Sequence, residues 1–349
     1  MTSASRPAHA SSPRRAVPVA FAMPEATFRR VFSPADLAAL HESGTARLLA
    51  DRPLDPDVPA DRELLHGVEV LLTGWGTTPL DARRLDVLPA LRAVVHSAGT
   101  VRPVVDDEVW ARGVAVTSST AANAVPVAEY TVAMIVLAAK RTFTAAESLR
   151  RDNGPVDLER DWPDVGLHGI TVGLIGASRV GRAVIERLRG YDVRIVVADP
   201  YLDDADAAGL GVRRVELAEL VACSDIVSLH APLLPTTRGL IDRTLIERLR
   251  PGATFINTAR GAIVDQEALA DRLDKGDIAA VLDVTEPEHL PADARLRTTP
   301  NTFITPHIAG SMGNELRRLA VNAIRETLAF TATGTFLDPI RPEEFAVQA

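Results

Sequence analysis

Residues 170–185 read ITVGLIGASRVGRAVI. The apolar run TVGLIG has the length of a buried strand, and RAVIERLRG beyond the turn has the period of a helix. Between them stands GASRVG, with Gly176, Ser178 and Gly181 at the marked positions of a Gly-x-Gly-x-x-Gly turn whose middle glycine is replaced. The first glycine makes the tight bend, and the last lets helix and strand pack closely. A helix starting there turns its first N–H groups and a partial positive charge toward an anion. The stretch therefore outlines a dinucleotide site with the pyrophosphate at the helix N-terminus. Ser178 adds a Cβ and a hydroxyl where backbone meets phosphate; the intrusion is small, and the hydroxyl can itself donate. Eighteen residues past Gly181, at the end of RIVVADP, comes Asp199. An acid there accepts hydrogen bonds from the adenosine ribose and repels a 2′-phosphate, which predicts NAD, with NADH preferred over NADPH. The alternative is a tight β–α connection that holds no ligand.

Outward from this turn, the strands RIVVADP, DIVSLHAP, TFINTAR, AAVLDVT and TFITPH follow, with helices between most of them. With TVGLIG they make at least six, the number in a full dinucleotide-binding sheet. Before the turn, VPVAFAM, GVEVLLTGW, RAVVHSAG and VAVTSS read as strands. SPADLAALHESG reads as a helix capped by Ser33, with Pro34 in its first turn and Gly44 as its stop, and LDVLPAL as a second helix. Short apolar strands alternating with helices give parallel sheets covered on both faces, hence an α/β class. VPVAEYTVAMIVLAAKRTF, residues 125–143, is apolar nearly all round and is expected as a helix buried between domains or subunits. SMGNELRRLAVNAIRETLAFTAT is expected as one amphipathic helix.

A chain of 349 residues holds two cores. No apolar run in it reaches the roughly 18–20 residues that cross a bilayer. Residues 1–16 lack the apolar centre of a secretory signal, so a disordered tail and a cytoplasmic protein with no membrane partner are expected. Net charge is −8, and the arginines are scattered among acids, with Lys140 and Lys275 the only lysines. That distribution gives nucleic acid no continuous basic stripe. The single Cys223 excludes an internal disulfide and any cysteine-cluster metal site, and reads as a small buried filler. No metal is expected.

Three later segments carry the chemistry: FINTARGAIVDQEAL with Arg260, VLDVTEPEHL with Glu288, and NTFITPHIAG with His307. Each polar residue falls at or just past the C-terminal end of an expected parallel strand, where open α/β sheets place ligands. A guanidinium binds a carboxylate bidentately and polarises a neighbouring ketone. A histidine gives or takes a hydroxyl proton near neutral pH, and a carboxylate holds the imidazole and favours its charged form. That set suits the reduction of a 2-keto acid, with a nicotinamide carrying the hydride. Glu286 and Glu288 compete for the carboxylate's role.

NTARG, LDVTEPE and TPHIAG, in that order after a dinucleotide turn, resemble the D-isomer-specific 2-hydroxyacid dehydrogenases over nearly all of residues 17–340. The resemblance implies catalytic roles for Arg260, Glu288 and His307, and favours Glu288 over Glu286. It implies cofactor contacts at Arg179 and Val180 in the turn, at His230, Ala231, Pro232 and Thr237, at Thr258 and Ala259, and at Gly310, with Asp283 holding the nicotinamide carboxamide. Substrate contacts are implied at the backbone of Ala98, Gly99 and Thr100 and at Asn123. The family pattern Gly-x-Gly-x-Asp is altered here, because the loop reads Gly99-Thr100-Val101-Arg102 and both the second glycine and the aspartate are gone. Arg102 either meets a second negative charge on the substrate or is a solvated side chain bonded to its own loop. Trp75 either caps the substrate pocket or packs in the core.

The expected fold is two doubly wound Rossmann-like domains with an interdomain cleft. Residues 17–124 plus 310–349 would bind substrate, and 125–309 would bind NAD. A homodimer through the helix near 125–143 is expected, as in the family. The implied activity is interconversion of a 2-keto acid and a D-2-hydroxy acid. Two alternatives stay open: an NADH-responsive, corepressor-like scaffold with little turnover, and a phosphite dehydrogenase-like enzyme.

Overall fold

The computed structural model describes residues 15–151, 157–161, 163 and 165–347. The expected disordered tail falls outside these residues except for Arg15 and Ala16. Strands β1 to β5 are Val17–Ala22, Ala46–Pro53, Val70–Thr73, Ala93–His96 and Ala115–Ser118. Strands β6 to β9 are Thr171–Ile175, Arg194–Ala198, Arg213–Arg214 and Ile226–Leu229. Then come β10 (Thr254–Asn257), β11 (Ala279–Leu282), β12 (Thr302–Ile304) and β13 (Pro339–Ile340).

The chain divides into two compact units. One comprises the residues up to Ser119 and Leu316–Pro342; the other comprises Thr120–Glu315 and the residues from Glu343 on. In the first unit the sheet order is β2-β1-β3-β4-β5, all parallel, with β13 antiparallel at the far edge. That is a doubly wound order. Val19, Phe21, Val70, Leu72 and Val95 of its strands pack with Phe28, Phe32, Ala320 and Phe330. In the second unit the order is β8-β7-β6-β9-β10-β11-β12, parallel throughout. This is the dinucleotide-binding order with one further strand. Its two faces are covered by separate clusters, one around Val227, Leu229 and Phe255, the other around Val172, Leu174 and Ile256. Strands buried on both faces read as continuous apolar runs, which is why most were visible in the sequence.

The differences from expectation have local causes. β2 went unread because ARLLADRP carries exposed Arg47, Asp51 and Arg52, as an edge strand does. β8 has only two residues. LDVLPAL is not a helix: Asp81 accepts the backbone N–H of Arg84 and starts a one-turn helix at Ala82–Leu85, and Pro89 bars its continuation. The apolar helix runs from Thr120 to Ala139, five residues earlier than expected, and ends before Arg141 takes a left-handed backbone (φ 52°). A second helix, Thr142–Arg151, follows. The earlier start moves the boundary between units to 119/120, so Asn123 belongs to the second unit. Contrary to the expectation from apolar runs, Thr120–Ala139 is long and apolar enough to cross a bilayer by length and composition; here Ala128, Thr131, Val132 and Ile135 are buried in the second unit. Cys223 is half-buried at the end of the helix Leu217–Cys223.

Candidate active site

All strands of the second sheet run one way, so their C-terminal ends share an edge. The turn follows β6, Asp199 follows β7, His230 follows β9, Arg260 follows β10, Asp283 and Glu288 follow β11, and His307 follows β12. The strand order reverses between β6 and β9, the place where such sheets bind ligands.

The turn is set by close contact. Gly176 has φ 99°, and a Cβ on it would lie 2.8 Å from the backbone nitrogen of Ala231. A Cβ on Gly181 would lie 2.2 Å from the carbonyl oxygen of Gly176. Ser178 has φ −63°, so its place needs no glycine. It is the N-cap of the helix Arg179–Leu188, its hydroxyl oxygen accepting the N–H of Gly181 at 3.3 Å. Arg179 and Val180 open that helix. Asp199 accepts the N–H of Ala177 at 2.7 Å and that of Tyr201 at 2.7 Å, which fixes its carboxylate beside the turn. The glycine cradle, the capped helix start and the adjacent acid fit a dinucleotide.

His230 is buried, with Nε2 3.0 Å from the hydroxyl of Ser228, and burial pushes its imidazole down to about 4. It stays neutral and serves the wall behind Gly176 rather than proton transfer. Thr237 closes the next loop, donating to the carbonyl of Pro232 at 2.5 Å and accepting the N–H of Leu234 at 2.8 Å.

The loops that carry Arg260 and Glu288 are drawn together by a second steric contact. A Cβ on Gly261 would lie 2.1 Å from the carbonyl carbon of Thr285, so only glycine lets the Arg260 loop lie on the Thr285–Glu286 backbone. Asn257 braces this loop, its amide donating to the carbonyl of Arg260 at 3.0 Å and accepting the N–H of Ala259 at 2.9 Å. The Arg260 guanidinium donates to the carbonyl of Ala259 at 2.6 Å. Burial pushes its pKa down, and Glu288 opposes that shift. The two candidate glutamates have different partners. Gln266 holds the backbone N–H and C=O of Glu286, whose peptide bond to Pro287 is cis. Glu288 Oε1 instead pairs with Nδ1 of His307. With Nδ1 engaged, Nε2 is the ring atom left to exchange a proton with a ligand.

His307 itself has left-handed backbone, φ 55°. Its N–H donates to the carbonyl of Asp283 at 2.9 Å. The side chain of Asp283, only 1% exposed, accepts from the Thr305 hydroxyl at 2.7 Å, the Ile308 N–H at 2.8 Å and the Ala309 N–H at 2.9 Å. Asp283, expected to hold a nicotinamide, is thus also the knot of the His307 loop. Sequence reasoning missed the partners of the His307 and Arg260 loops on the helix Thr120–Ala139. Tyr130 Oη lies 2.8 Å from Thr305 Oγ1, and Thr131 Oγ1 lies 3.0 Å from Thr258 Oγ1. Asn123 accepts the N–H of Ser311 at 3.0 Å, beside Gly310. The available signal was a phenol and a hydroxyl set in a mostly apolar helix, since buried polar groups need partners. Among the described residues no cluster of three or more His, Cys, Asp or Glu is placed to hold a metal.

The remaining expected residues lie in the first unit. Ala98 is buried and Gly99 and Thr100 are half-buried in the loop after β4. His96 Nδ1 is 2.9 Å from the Thr73 hydroxyl. Burial pushes this imidazole down to about 4, against a hydrogen bond to the backbone of Thr100. A neutral ring accepts at one nitrogen and donates at the other, so the Thr73 hydroxyl donates to Nδ1 and the second ring nitrogen donates to the Thr100 carbonyl. Arg102 is half-buried, and burial lowers its pKa. Trp75 is half-buried against the unit's core, and its carbonyl accepts the Thr27 hydroxyl at 3.0 Å.

Residues 132–309 match the family model described as D-isomer specific 2-hydroxyacid dehydrogenase, NAD binding domain. The chain belongs to that family. A D-3-phosphoglycerate dehydrogenase of Mycobacterium tuberculosis (strain CDC 1551 / Oshkosh) is 32% identical over 87% of this chain and 56% of its own length. The chain thus spans about half the length of the first curated relatives it matches. A glyoxylate reductase of Korarchaeum cryptofilum is 32% identical over 73% of this chain and 77% of its own. The crystal structure of the TT0316 protein from Thermus thermophilus aligns with a TM-score of 0.71 at 29% identity, covering 93% of this chain and 100% of that one.

Proposed function

We propose that this member of the D-2-hydroxyacid dehydrogenase family is an NAD(H)-dependent oxidoreductase interconverting a 2-keto acid and a D-2-hydroxy acid. The observation that carries the proposal is the Glu288–His307 pair, with the Arg260 loop packed on the backbone that leads to Glu288, on the same sheet edge as the glycine turn. A bound nicotinamide would supply the hydride. In the reducing direction, His307 carries the charged imidazole, held through Nδ1 by Glu288, and gives its Nε2 proton to the substrate oxygen. Arg260 grips the carboxylate and polarises the ketone. Ala98, Gly99 and Thr100 are proposed as backbone contacts to substrate. Asp199, fixed by two backbone N–H groups, favours NADH over NADPH. A homodimer through the outer face of Thr120–Ala139, where Ala133 is exposed and Met134 and Leu137 are half-buried, belongs to the same proposal.

The test is a fluorescence titration with NADH and NADPH, followed by a panel of 2-keto acids. NADH should bind more tightly than NADPH. Arg260→Ala should lose turnover by on the order of 10²–10³-fold while NADH binding stays near the wild-type value. Normal turnover in that variant would overturn the assignment.

A further inference from the structure

Helix Thr120–Ala139 places a phenol and a hydroxyl side by side, and each reaches a different catalytic loop. Thr131 meets Thr258, two residues before Arg260. Tyr130 meets Thr305, two residues before His307. The direction of the second chain of hydrogen bonds follows from its end. The Asp283 carboxylate accepts only, and Thr305 Oγ1 gives it its single proton at 2.7 Å. Tyr130 is then the donor to Thr305. Burial raises the Tyr130 pKa, and the Asp283 charge reinforces this. The phenol therefore remains a donor at neutral pH.

We propose that Tyr130 is a positioning residue for His307, acting through Thr305 and Asp283. The proposal rests on the role given to His307 above. Tyr130 orients the Thr305 hydroxyl, and Thr305 fixes one oxygen of the buried Asp283 carboxylate. That carboxylate and its own carbonyl then hold the N–H groups of His307, Ile308 and Ala309. Three consecutive amides set the left-handed turn that aims the imidazole at Glu288. Without the phenol, Thr305 loses its outer partner, and its own bond to the carboxylate is no longer directed from outside. The ring then drifts from its catalytic placement, while the glycine turn, held by separate contacts, is untouched.

The experiment compares the full chain with Tyr130→Phe, Thr305→Val and Thr305→Ser. It reads NADH affinity, kcat and KM on a 2-keto acid, and the imidazole NMR resonance of His307, assigned with His307→Gln. Tyr130→Phe and Thr305→Val should lower kcat by on the order of tenfold. KM and NADH affinity should stay within about twofold, and the His307 resonance should be displaced. Thr305→Ser keeps the hydroxyl and should recover most of the rate. Wild-type kcat with an unmoved resonance in both hydroxyl-deleting variants would overturn the proposal. A loss spread equally over NADH binding and turnover would also overturn it, by making Tyr130 a packing residue. If the wild type turns over no keto acid, the proposed function fails, and the resonance alone decides the relay: displaced supports it, unmoved overturns it.

Discussion

The turn after β6 and the loop after β12 lie on one edge of one sheet, yet they are held by different forces. The turn is fixed by exclusion: backbone stands where a Cβ on Gly176 or Gly181 would sit. The loop is fixed by attraction, with His307 kept in left-handed backbone by hydrogen bonds converging on Asp283. Steric exclusion tolerates no substitution, but it demands no particular side chain of the segment that stands against it, which for Gly176 is the backbone of Ala231. A hydrogen-bonded knot tolerates substitution better and depends on partners far away in sequence, such as Tyr130. A site that binds a large rigid ligand suits the first kind of support. The proton-transfer role proposed for His307, whose aim must hold to a fraction of an ångström, suits the second.

The largest expected effect is at Gly181. Gly181→Ala puts a methyl 2.2 Å from a backbone oxygen that cannot move without opening the turn. NADH affinity should fall by about 100-fold or more, and overpacking should cost about 1–3 kcal/mol in urea unfolding. Unchanged NADH binding would mean that the turn yields, and that its rigidity does not distinguish it from the His307 loop.

This difference also explains what the sequence disclosed. Exclusion leaves a local trace, since glycines at fixed spacing after an apolar run are visible without any partner. The parallel strands were legible for a similar reason, being apolar on both faces. The edge strands β2 and β8 were not, because one is polar and the other is two residues long. That Arg260, Glu288 and His307 follow neighbouring strands on one sheet edge was legible through the order of their motifs. Their supports were not: the sequence separation from Tyr130 to Thr305 is 175 residues, and from Thr131 to Thr258 it is 127. Nothing local to Asp283 announces that it accepts N–H groups 25 and 26 residues away. The boundary at Asn123 shifted because apolar periodicity shows where a helix continues and not where it starts.

Asp283→Asn probes the attractive side with an effect of intermediate size. The amide keeps the shape but presents one N–H₂ where an oxygen now accepts. At least one of Thr305, Ile308 and Ala309 then faces a donor, which costs about 1–3 kcal/mol of stability. Turnover should fall more than NADH affinity does. Equal losses would show that the carboxylate serves the cofactor more than the His307 loop, and would erase the contrast drawn between the two regions.

The smallest effect is expected at Ser178, where the sequence departs from the glycine pattern. Because φ there is −63°, restoring glycine relieves no strain. Because Ser178 Oγ accepts the Gly181 N–H, removing it costs the helix only a few tenths of a kcal/mol in Ser178→Gly but about 1 kcal/mol in Ser178→Ala. NADH affinity in Ser178→Gly should weaken by less than about threefold, the equivalent of those few tenths. A tenfold gain would show that the serine Cβ obstructs the phosphates and that exclusion at this turn extends to its middle position. A tenfold loss would show that the hydroxyl donates to the ligand, so that the turn too would rest partly on attraction.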